Sequence, residues 1–497
     1  MSELAINLKT SGVQNEIERQ PLDIVRNILT RPKVSDNIIF NADSYKIGHW
    51  MFMEENTTYT TAYMEARAGA EFDETTLWGF QYHLLNEDFI KPVTQEMIDQ
   101  ADEIISNHGL PINLEGWKYI VEEHGGYLPI RISAVREGVT VPTGNILVKI
   151  ESTDTRFNAA WAAMFIETKW MRTWYPITIT TLSRQIKKVI NNALVRTGDE
   201  STTAMKLVDF GSRGVATREQ SMVGGAAHLI NFEVTDNLLG MATLIDFYTV
   251  DGKGVPALSI PATEHTETIL WGRDREFHFY NNIVQNILPK TGICSVVIDT
   301  YNTERAIEMF GSLRKDIEAA GTIVFRPDSG DPVEMTEMVV KKLDELFGPE
   351  VNEKGFKVLN PCARIIQGDG VCLESVKAIL DNFERLGYSA DNITFGSGGA
   401  LLQKVNRDTM RFAIKGSHGV VGGDARDIQK VPATDMTKAS KAGILRLVRN
   451  EKTGEFRTIN QHIEADADEV DMLEPVFENG KILRWQSLEE IRALAAL

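Results

Sequence analysis

The sequence predicts an α/β protein, built from an irregular parallel (β/α) barrel of about seven strands and a discontinuous α+β domain with an antiparallel sheet. Between residues 205 and 400, short β-branched runs alternate with amphipathic helical stretches, and each run ends in a polar or glycine-rich loop. On both sides of this segment, apolar and polar residues alternate around short turns, which is typical of antiparallel strands. The 497 residues, 43% of them hydrophobic, are enough for two such units.

The predicted domain boundaries lie where the pattern changes. Residues 1–35 carry mixed charge and are predicted to be an N-terminal extension. Residues 36–157 and 408–497 are predicted to form the discontinuous α+β domain, and residues 158–407 the barrel. The two antiparallel ends of the chain are therefore expected to pack together beside the barrel.

Composition excludes several classes of function. A net charge of −18 argues against a general nucleic-acid or anionic-membrane surface. No run approaches the roughly 20 apolar residues of a membrane span. The three cysteines form no Cys-x-x-Cys pair, which is typical of a reducing compartment and gives no metal signature. We therefore expect a cytoplasmic protein with no nucleic-acid or membrane partner and no metal site made by the protein alone.

The amino-terminal part begins with an apolar run at 37–40, predicted to be a strand, and a polar loop at 41–46 that contains Tyr45. A strand is predicted at 58–67 and an antiparallel meander over 127–151. An apolar helix is predicted over 158–174, ending there because Pro176 disfavours helical geometry at the residue before it.

The central part carries the repeated strand–loop–helix pattern. Parallel topology would bring all of its loops to one face, where α/β sheets bind ligands. The predicted strands and their loops are 206–210 with Gly-Ser-Arg-Gly, 228–232 with Glu-Val-Thr-Asp, 258–260 with Pro-Ala-Thr-Glu-His, 295–298 with Asp-Thr-Tyr-Asn, 323–325 with Arg-Pro-Asp-Ser-Gly-Asp, 364–366 with Gln-Gly-Asp-Gly, and 393–395 with Gly-Ser-Gly-Gly.

The carboxyl-terminal part returns to antiparallel patterning. Strands are predicted at 445–448 and 456–459 around a Lys-Thr-Gly turn. A second pair, at 476–477 and 481–483, flanks Asn479-Gly480, which is the strongest short hairpin signal.

The loop after residues 323–325 has two interpretations. Arg326 offers a rigid donor fork for phosphate or carboxylate, and Asp328 and Asp331 offer acceptors for sugar hydroxyls or a hard cation. The same residues also suit a turn that caps a helix, since aspartate and serine are good N-caps. The neighbouring loops favour the first interpretation.

Glycines in two other loops precede predicted helices. Gly398 and Gly399 form one such pair, and Gly368 with Asp369 belongs to the other. Backbone N–H groups at helix starts bind phosphate, and glycine allows close approach. Together with the arginine fork and Arg213, these loops favour a phosphorylated sugar as ligand.

His265 follows a predicted strand and lies between Glu264 and Thr266. It could be a nucleophile or a general base poised by the carboxylate, and it could equally be a hydrogen-bonded structural histidine. His228, in an apolar run, is predicted to be a hydrogen-bonded core residue.

Eight motifs in order carry a resemblance that spans nearly the whole chain. The sequence resembles the nicotinate and nicotinamide phosphoribosyltransferase family, the type II phosphoribosyltransferases. The motifs are Asp-Ser-Tyr-Lys (43–46), Trp-Tyr-Pro-Ile-Thr (174–178), Asp-Phe-Gly-Ser-Arg-Gly (209–214), Asn-Phe-Glu-Val-Thr-Asp (231–236), Ser-Ile-Pro-Ala-Thr-Glu-His (259–265), Arg-Pro-Asp-Ser-Gly (326–330), Ile-Gln-Gly-Asp-Gly-Val (366–371) and Phe-Gly-Ser-Gly-Gly-Ala-Leu-Leu-Gln-Lys (395–404).

The resemblance implies an activity in NAD salvage. The family transfers phosphoribose from phosphoribosyl pyrophosphate (PRPP) to a pyridine base. For this chain the implied base is nicotinamide, with nicotinamide mononucleotide (NMN) and pyrophosphate as products. It also implies dependence on Mg²⁺, stimulation by ATP as a co-substrate, and a homodimer whose active sites lie across the subunit interface.

The resemblance further implies roles for individual residues. His265 would be phosphorylated by ATP, and Asp236 would accept a hydrogen bond from the carboxamide and repel nicotinate. Phe210 and the partner's Tyr45 would enclose the pyridine ring, and Asp331 becomes a helix cap. The residues implied to hold PRPP or the nucleotide are Arg213 and Arg326 at the phosphates, Asp328, Gly368 and Asp369 at the ribose, and Gly398, Gly399 and Arg407 at the 5′-phosphate.

Three positions depart from the family pattern: Ser212 stands where tyrosine is frequent, Asn302 where aspartate is, and Val208 where histidine is. The alternatives are a nicotinate phosphoribosyltransferase, an inactive nucleotide sensor, and a phosphate-binding barrel lyase or isomerase. Asp236 disfavours the first, and the presence of His265 and the arginines disfavours the second. The third would want a lysine at a strand end, and the predicted strands end in none.

Overall fold

The computed structural model describes residues 25–26, 29–30, 32–86, 90–431 and 439–497, so the predicted N-terminal extension lies largely outside the described residues. Its strands, numbered in chain order, are β1 Thr57–Ala66, β2 Glu74–Thr76, β3 Ile130–Ala134, β4 Thr140–Pro142, β5 Ile146–Ser152, β6 Leu207–Asp209, β7 Ile293–Val297, β8 Thr322–Arg326, β9 Pro349–Val351, β10 Lys357–Leu359, β11 Ala363–Gln367, β12 Ile393–Ser397, β13 Phe412–Val421, β14 Asp424–Asp427, β15 Leu445–Asn450, β16 Phe456–Asn460, β17 Glu469–Asp471, β18 Glu474–Glu478 and β19 Lys481–Ile482.

A five-stranded parallel sheet forms the centre of the molecule, in the order β6-β12-β11-β8-β7. Two further segments continue it through isolated parallel bridges. Thr235 bridges to Asp209 of β6, Val234 to Leu258, and Ala262 to Ser295 of β7. The bridged segments therefore connect the two edge strands, and the predicted fold class of a parallel barrel beside an antiparallel sheet is confirmed.

A seven-stranded antiparallel sheet lies beside the parallel one, in the order β14-β13-β1-β5-β3-β18-β19. It combines strands from both ends of the chain, since β1 pairs with β13 and β3 pairs with β18. The predicted hairpin at Asn479-Gly480 is confirmed: both residues have positive φ, 47° and 84°, and β18 pairs with β19. The exact domain boundaries stay a prediction.

Helices cover the parallel sheet and one end of the antiparallel one. Within the described ranges, no helix combines the length and apolarity needed to cross a membrane. The α-helices are Ser44–Ile47, Phe80–Leu85, Gln95–Asn107, Leu114–His124, Ala162–Phe165, Glu167–Met171, Trp174–Thr197, Arg218–His228, Leu238–Tyr248, His265–Trp271, Glu276–Asn282, Leu288–Thr291, Thr303–Ser312, Arg314–Ala320, Pro332–Phe347, Leu373–Leu386, Gly399–Leu402 and Leu488–Ala495.

The predictions of two barrel strands were wrong. Residues 228–232 are the end of the helix Arg218–His228 and the turn after it, and the bridged segment is the following 233–236. Residues 258–260 make one bridge and no regular strand. A short apolar run fits a buried helix as well as a strand, so periodicity alone could not distinguish them. His228 is fully buried, and its ring nitrogens contact the Ser183 hydroxyl and the Leu207 carbonyl, as predicted.

Two predictions in the amino-terminal half were also wrong. Residues 37–40 form a 3₁₀-turn, in which the Asn37 side chain accepts a hydrogen bond from the Ile39 N–H group. The apolar helix predicted over 158–174 is broken into short helices, and Pro176 lies in the first turn of the long helix Trp174–Thr197. Proline is tolerated there because the first turn needs no N–H donor, so it begins a helix here.

A buried carboxylate joins the two ends of the chain. Glu137 is 2% exposed; its Oε1 accepts a hydrogen bond from the Gln81 N–H group at 2.8 Å, and its own N–H group donates to Gln486 Oε1 at 2.9 Å. Burial raises the pKa of Glu137 to about 7. The folded protein therefore holds this proton more tightly than the unfolded chain does.

This shift predicts a pH dependence of stability. The contribution of Glu137 to the free energy of unfolding is fully present below the unfolded pKa near 4.5. It is lost as the pH rises to about 7, which lowers the free energy of unfolding by roughly 3 kcal/mol. The free energy of unfolding of Glu137→Gln, relative to that of the wild type, should therefore be higher at pH 8 than at pH 5. Urea unfolding at both pH values measures this difference. An equal stability difference at the two pH values would contradict the assignment.

Candidate active site

The strand-end loops converge on one cavity of about 1180 Å³. It lies at the carboxyl ends of β6, β8, β11 and β12 and of the bridged segments. Ten of the twelve residues predicted to form the site line it: Phe210, Arg213, Asp236, His265, Arg326, Asp328, Gly368, Asp369, Gly398 and Gly399.

An aromatic ring packs against glycine on one wall. A Cβ added at Gly396, in β12, would lie 2.0 Å from Phe210 Cε2, and one added at Gly368 would lie 3.4 Å from the same atom. The Phe210 N–H group donates to the Ser397 carbonyl at 2.9 Å, which fixes the chain beside β12. The ring position therefore depends on glycine at 396.

Asp236 lies near this ring wall, at the end of the bridged segment 233–236. Its side chain is exposed to the cavity, and its Oδ1 accepts a hydrogen bond from the Ser259 hydroxyl at 2.6 Å. The other carboxylate oxygen stays available to accept from a ligand amide. Ser212 also lines the cavity, and its hydroxyl pairs with that of Ser221 at 2.8 Å.

Three cations face the cavity: Arg213, Arg326 and Lys404. None of them forms an ion pair with a carboxylate within the part of the chain that the structure describes. Arg326 is fixed by a hydrogen bond from Nη2 to the Thr263 carbonyl at 2.9 Å, whereas its buried Nε has no partner. A buried donor without a partner is costly, so the fork is prepared for an anionic ligand. Lys404 was not predicted from the sequence.

His265 begins the helix His265–Trp271 and lies between two carboxylates. Its Nδ1 is 3.0 Å from the Thr300 hydroxyl, and its Nε2 is 3.6 Å from Asp328 Oδ2 and 4.0 Å from Asp299 Oδ1. Glu264, which the sequence suggested as the poising carboxylate, takes part in a capping box at the start of this helix. The histidine is thus oriented by Thr300 and faces Asp299 and Asp328.

Asp299 is the main residue that the sequence reasoning missed. Its Oδ2 accepts hydrogen bonds from the Asp328 N–H group at 2.9 Å and the Ser329 hydroxyl at 2.6 Å. Its Oδ1 is buried and has no partner. Its place directly after β7 matches that of Asp328 after β8, and this shared strand-end position is the signal that could have identified it. Asp331, in contrast, caps the helix Pro332–Phe347, as predicted.

The donor set around His265 suits a hard cation that shares its ligands with a substrate. Asp299 and Asp328 supply two carboxylates, and the orphaned Asp299 Oδ1 is a free oxygen donor. Mg²⁺ is usually held by one or two carboxylates together with substrate phosphates. No group of three or more His, Cys, Asp or Glu side chains arranged to hold a metal occurs in the described ranges.

Two predicted residues lie outside the cavity of their own chain. Tyr45, in the helix Ser44–Ile47, is 58% exposed, and its ring packs edge-on against His49. Arg407 is exposed, beyond the short helix Gly399–Leu402, and its Nη2 lies 3.3 Å from Asp408 Oδ1. Neither position is brought to the site within one subunit.

Comparisons with known proteins agree with this site. Residues 205–481 match the model of the nicotinate phosphoribosyltransferase family, and residues 37–132 match that of the nicotinamide phosphoribosyltransferase N-terminal domain. The chain is 45% identical over 467 residues to a nicotinamide phosphoribosyltransferase of Xanthomonas campestris, covering 93% of this chain and 98% of that protein. A protein of the same name from Acinetobacter baylyi is 29% identical over 489 residues, covering 90% and 95%.

Solved structures agree on the fold. The chain is similar to a nicotinate-nucleotide pyrophosphorylase from Pyrococcus furiosus, with a TM-score of 0.59 at 15% identity over 94% of this chain and 96% of that one. It is also similar to human nicotinic acid phosphoribosyltransferase, with a TM-score of 0.51 at 14% identity over 91% and 92%.

The unpaired arginine fork predicts that the cavity binds pyrophosphate. Arg326→Gln should weaken binding of inorganic pyrophosphate by about tenfold or more, measured by isothermal titration calorimetry, because hydrogen bonds from a charged donor are lost. Arg385→Gln, at an exposed arginine that contacts Asn382, is the matched control and should leave binding unchanged. Equal affinities of wild type and Arg326→Gln would show that the fork does not face the anion.

Proposed function

We propose that this chain, which belongs to the nicotinate phosphoribosyltransferase family, transfers phosphoribose from PRPP to nicotinamide and releases NMN and pyrophosphate. The chain is a pentosyltransferase by its family. The observation that carries the nicotinamide assignment is one cavity in which Phe210 and Asp236 suit a pyridine carboxamide, while Arg213 and Arg326 suit a pyrophosphate.

In the proposed reaction, the pyridine nitrogen forms a bond to C1 of the ribose while the bond from C1 to the pyrophosphate oxygen breaks. Positive charge develops on the ribose and negative charge on the leaving group. Arg326 and Arg213 would stabilise that negative charge, and the buried Nε of Arg326 could donate to it without competition from solvent. Asp328 and Asp369 would hold the ribose hydroxyls.

We propose that Mg²⁺ and ATP serve the same side of the cavity. Asp299 and Asp328 are the residues that would hold Mg²⁺, which neutralises phosphate charge when bound. His265 would accept a phosphoryl group from ATP at Nε2, because Nδ1 is engaged by Thr300. The phosphorylated histidine would add negative charge beside Asp299 and Asp328, where it could organise the cation and the pyrophosphate.

The preference for nicotinamide over nicotinate would arise at Asp236. Its carboxylate can accept a hydrogen bond from a carboxamide NH₂ group, and it repels a carboxylate in the same position. Ser259 holds one of its oxygens, so the second is presented in a defined direction. Asp236 therefore disfavours the alternative of a nicotinate-specific enzyme.

We propose that two copies of the chain complete each active site. The positions of Tyr45 and Arg407 outside their own cavity support this, because both residue types suit the ligand and neither reaches it in one subunit. Large exposed apolar side chains also favour an interface. They include Phe52 at 83% and Leu270 at 79%. The cytoplasmic location predicted from the sequence stays a proposal, supported by three free cysteines.

Incubation with PRPP and Mg²⁺ and either base tests the reaction. We expect NMN from nicotinamide and little product from nicotinate. Asp236→Asn should narrow this preference by about tenfold, because it removes the repulsive charge. Glu233→Gln changes a nearby exposed carboxylate and is the control. Product from nicotinate alone would refute the assignment, and no product from either base would favour the inactive sensor.

The histidine role has a separate test. His265→Ala should abolish the stimulation by ATP and the acid-labile label acquired from γ-³²P-ATP, because the acceptor nitrogen is gone. His278→Ala, at an exposed histidine of the helix Glu276–Asn282, should retain both. Undiminished stimulation in His265→Ala would contradict the phosphohistidine.

A further inference from the structure

A buried carboxylate lies behind the ring wall of the cavity. Asp209 ends β6 and is 0% exposed. Its Oδ1 accepts the Gly211 N–H group at 2.6 Å, and its Oδ2 accepts Asn237 Nδ2 at 2.9 Å. Burial raises the pKa of Asp209 to about 6, and the hydrogen bonds from Gly211 and Asn237 oppose this shift. Both of its oxygens are occupied by protein donors.

These two hydrogen bonds reach the two loops that carry the pyridine site. Gly211 directly follows Phe210, and Asn237 directly follows Asp236. The main-chain carbonyl of Asp209 also accepts the Asp236 N–H group at 3.2 Å. A single residue therefore connects the aromatic wall to the carboxylate that would recognise the carboxamide.

Asn237 is held in one orientation by its other contacts. Its Oδ1 accepts the Ser221 hydroxyl and the Gly240 N–H group, both at 3.1 Å, and its Nδ2 also donates to the Ser221 carbonyl at 3.0 Å. Every donor and acceptor of its side chain is used, so a flipped amide would lose them. A Cβ at Gly225 would lie 2.3 Å from Nδ2, which is why glycine stands there.

We infer that Asp209 is a positioning residue for the pyridine base, fixing Phe210 and Asp236 relative to each other through Gly211 and Asn237. This inference rests on the proposed function. Asp209 acts through its neighbours and does not touch the base. Arg326, Asp328 and Asp369, which would hold PRPP, follow β8 and β11 and lie on other loops, whereas Arg213 shares the loop of Asp209. The effect on PRPP is therefore expected to be the smaller of the two.

Asp209→Asn tests this directly. An amide has one acceptor oxygen, so either the Gly211 N–H group or one of the two N–H groups of Asn237 Nδ2 is left without a partner. In the full-length enzyme, we expect the KM for nicotinamide to rise by about tenfold and the KM for PRPP to change by less than about threefold. Glu276→Gln, at a buried carboxylate that accepts from the Tyr280 hydroxyl, is the control and should alter neither.

Two further variants keep the inference testable if Asp209→Asn does not fold. Asn237→Ser keeps a capping oxygen but loses the donor to Asp209, and should raise the KM for nicotinamide in the same selective way. Asp209→Asn combined with Asn237→Asp restores a hydrogen bond between the two positions in the opposite sense, but it places a carboxylate oxygen against the Ser221 carbonyl, so it should return that KM only part of the way towards wild type.

The outcomes distinguish a failure of the proposed function from a failure of the positioning role of Asp209. A wild-type enzyme that makes no NMN would overturn the proposed function. A wild-type enzyme that makes NMN, with unchanged KM for nicotinamide in Asp209→Asn or Asn237→Ser, would overturn the positioning role. Equal losses for both substrates, with lowered thermal stability and no recovery in the double variant, would also overturn it.

Discussion

Parallel hydrogen bonding between β6, β12, β11, β8 and β7 is the constraint on which the site depends. Because neighbouring strands run in the same direction, their carboxyl ends meet at one edge and their loops share one cavity. Phe210, Arg326 and Gly368 are far apart in the chain and become neighbours for that reason. Among the residues that the structure describes, the antiparallel sheet shows no comparable convergence and contributes none of those that line the cavity.

The cavity combines unpaired charge with buried polar atoms that have no partner. Arg326 Nε and Asp299 Oδ1 are both of this kind. Each such atom costs on the order of 1–3 kcal/mol in the free protein, and a ligand that satisfies it recovers that cost. The two atoms without partners thus lower the stability of the free protein, and they lie where an anion and a cation are expected to bind together.

The sequence predicted the loops more reliably than the helices and strands between them. Arg326 and Asp328 could be predicted because a β-branched run ends abruptly in charged residues, and Asp331 because an aspartate before proline caps a helix. The helix over 228 was missed because Gly224 and Gly225 argue against a helix, although they allow close packing, Gly224 against Tyr175 and Gly225 against Gly240. Lys404 was missed because only the fold shows that it reaches the cavity, and Asp299 was missed although its position after β7 matches that of Asp328 after β8.

Some segments join the parallel sheet through full ladders and others through isolated bridges, so the number of main-chain hydrogen bonds that hold them differs. Arg326, Asp369 and Gly398 lie at the ends of β8, β11 and β12, each held by a full ladder, whereas Asp236 follows a segment held by isolated bridges. A substitution near Asp236 disturbs few main-chain bonds, and one in a ladder strand disturbs many. A change at Asp236 that alters recognition of the base should therefore cost less main-chain hydrogen bonding than a change at the ends of β8, β11 or β12.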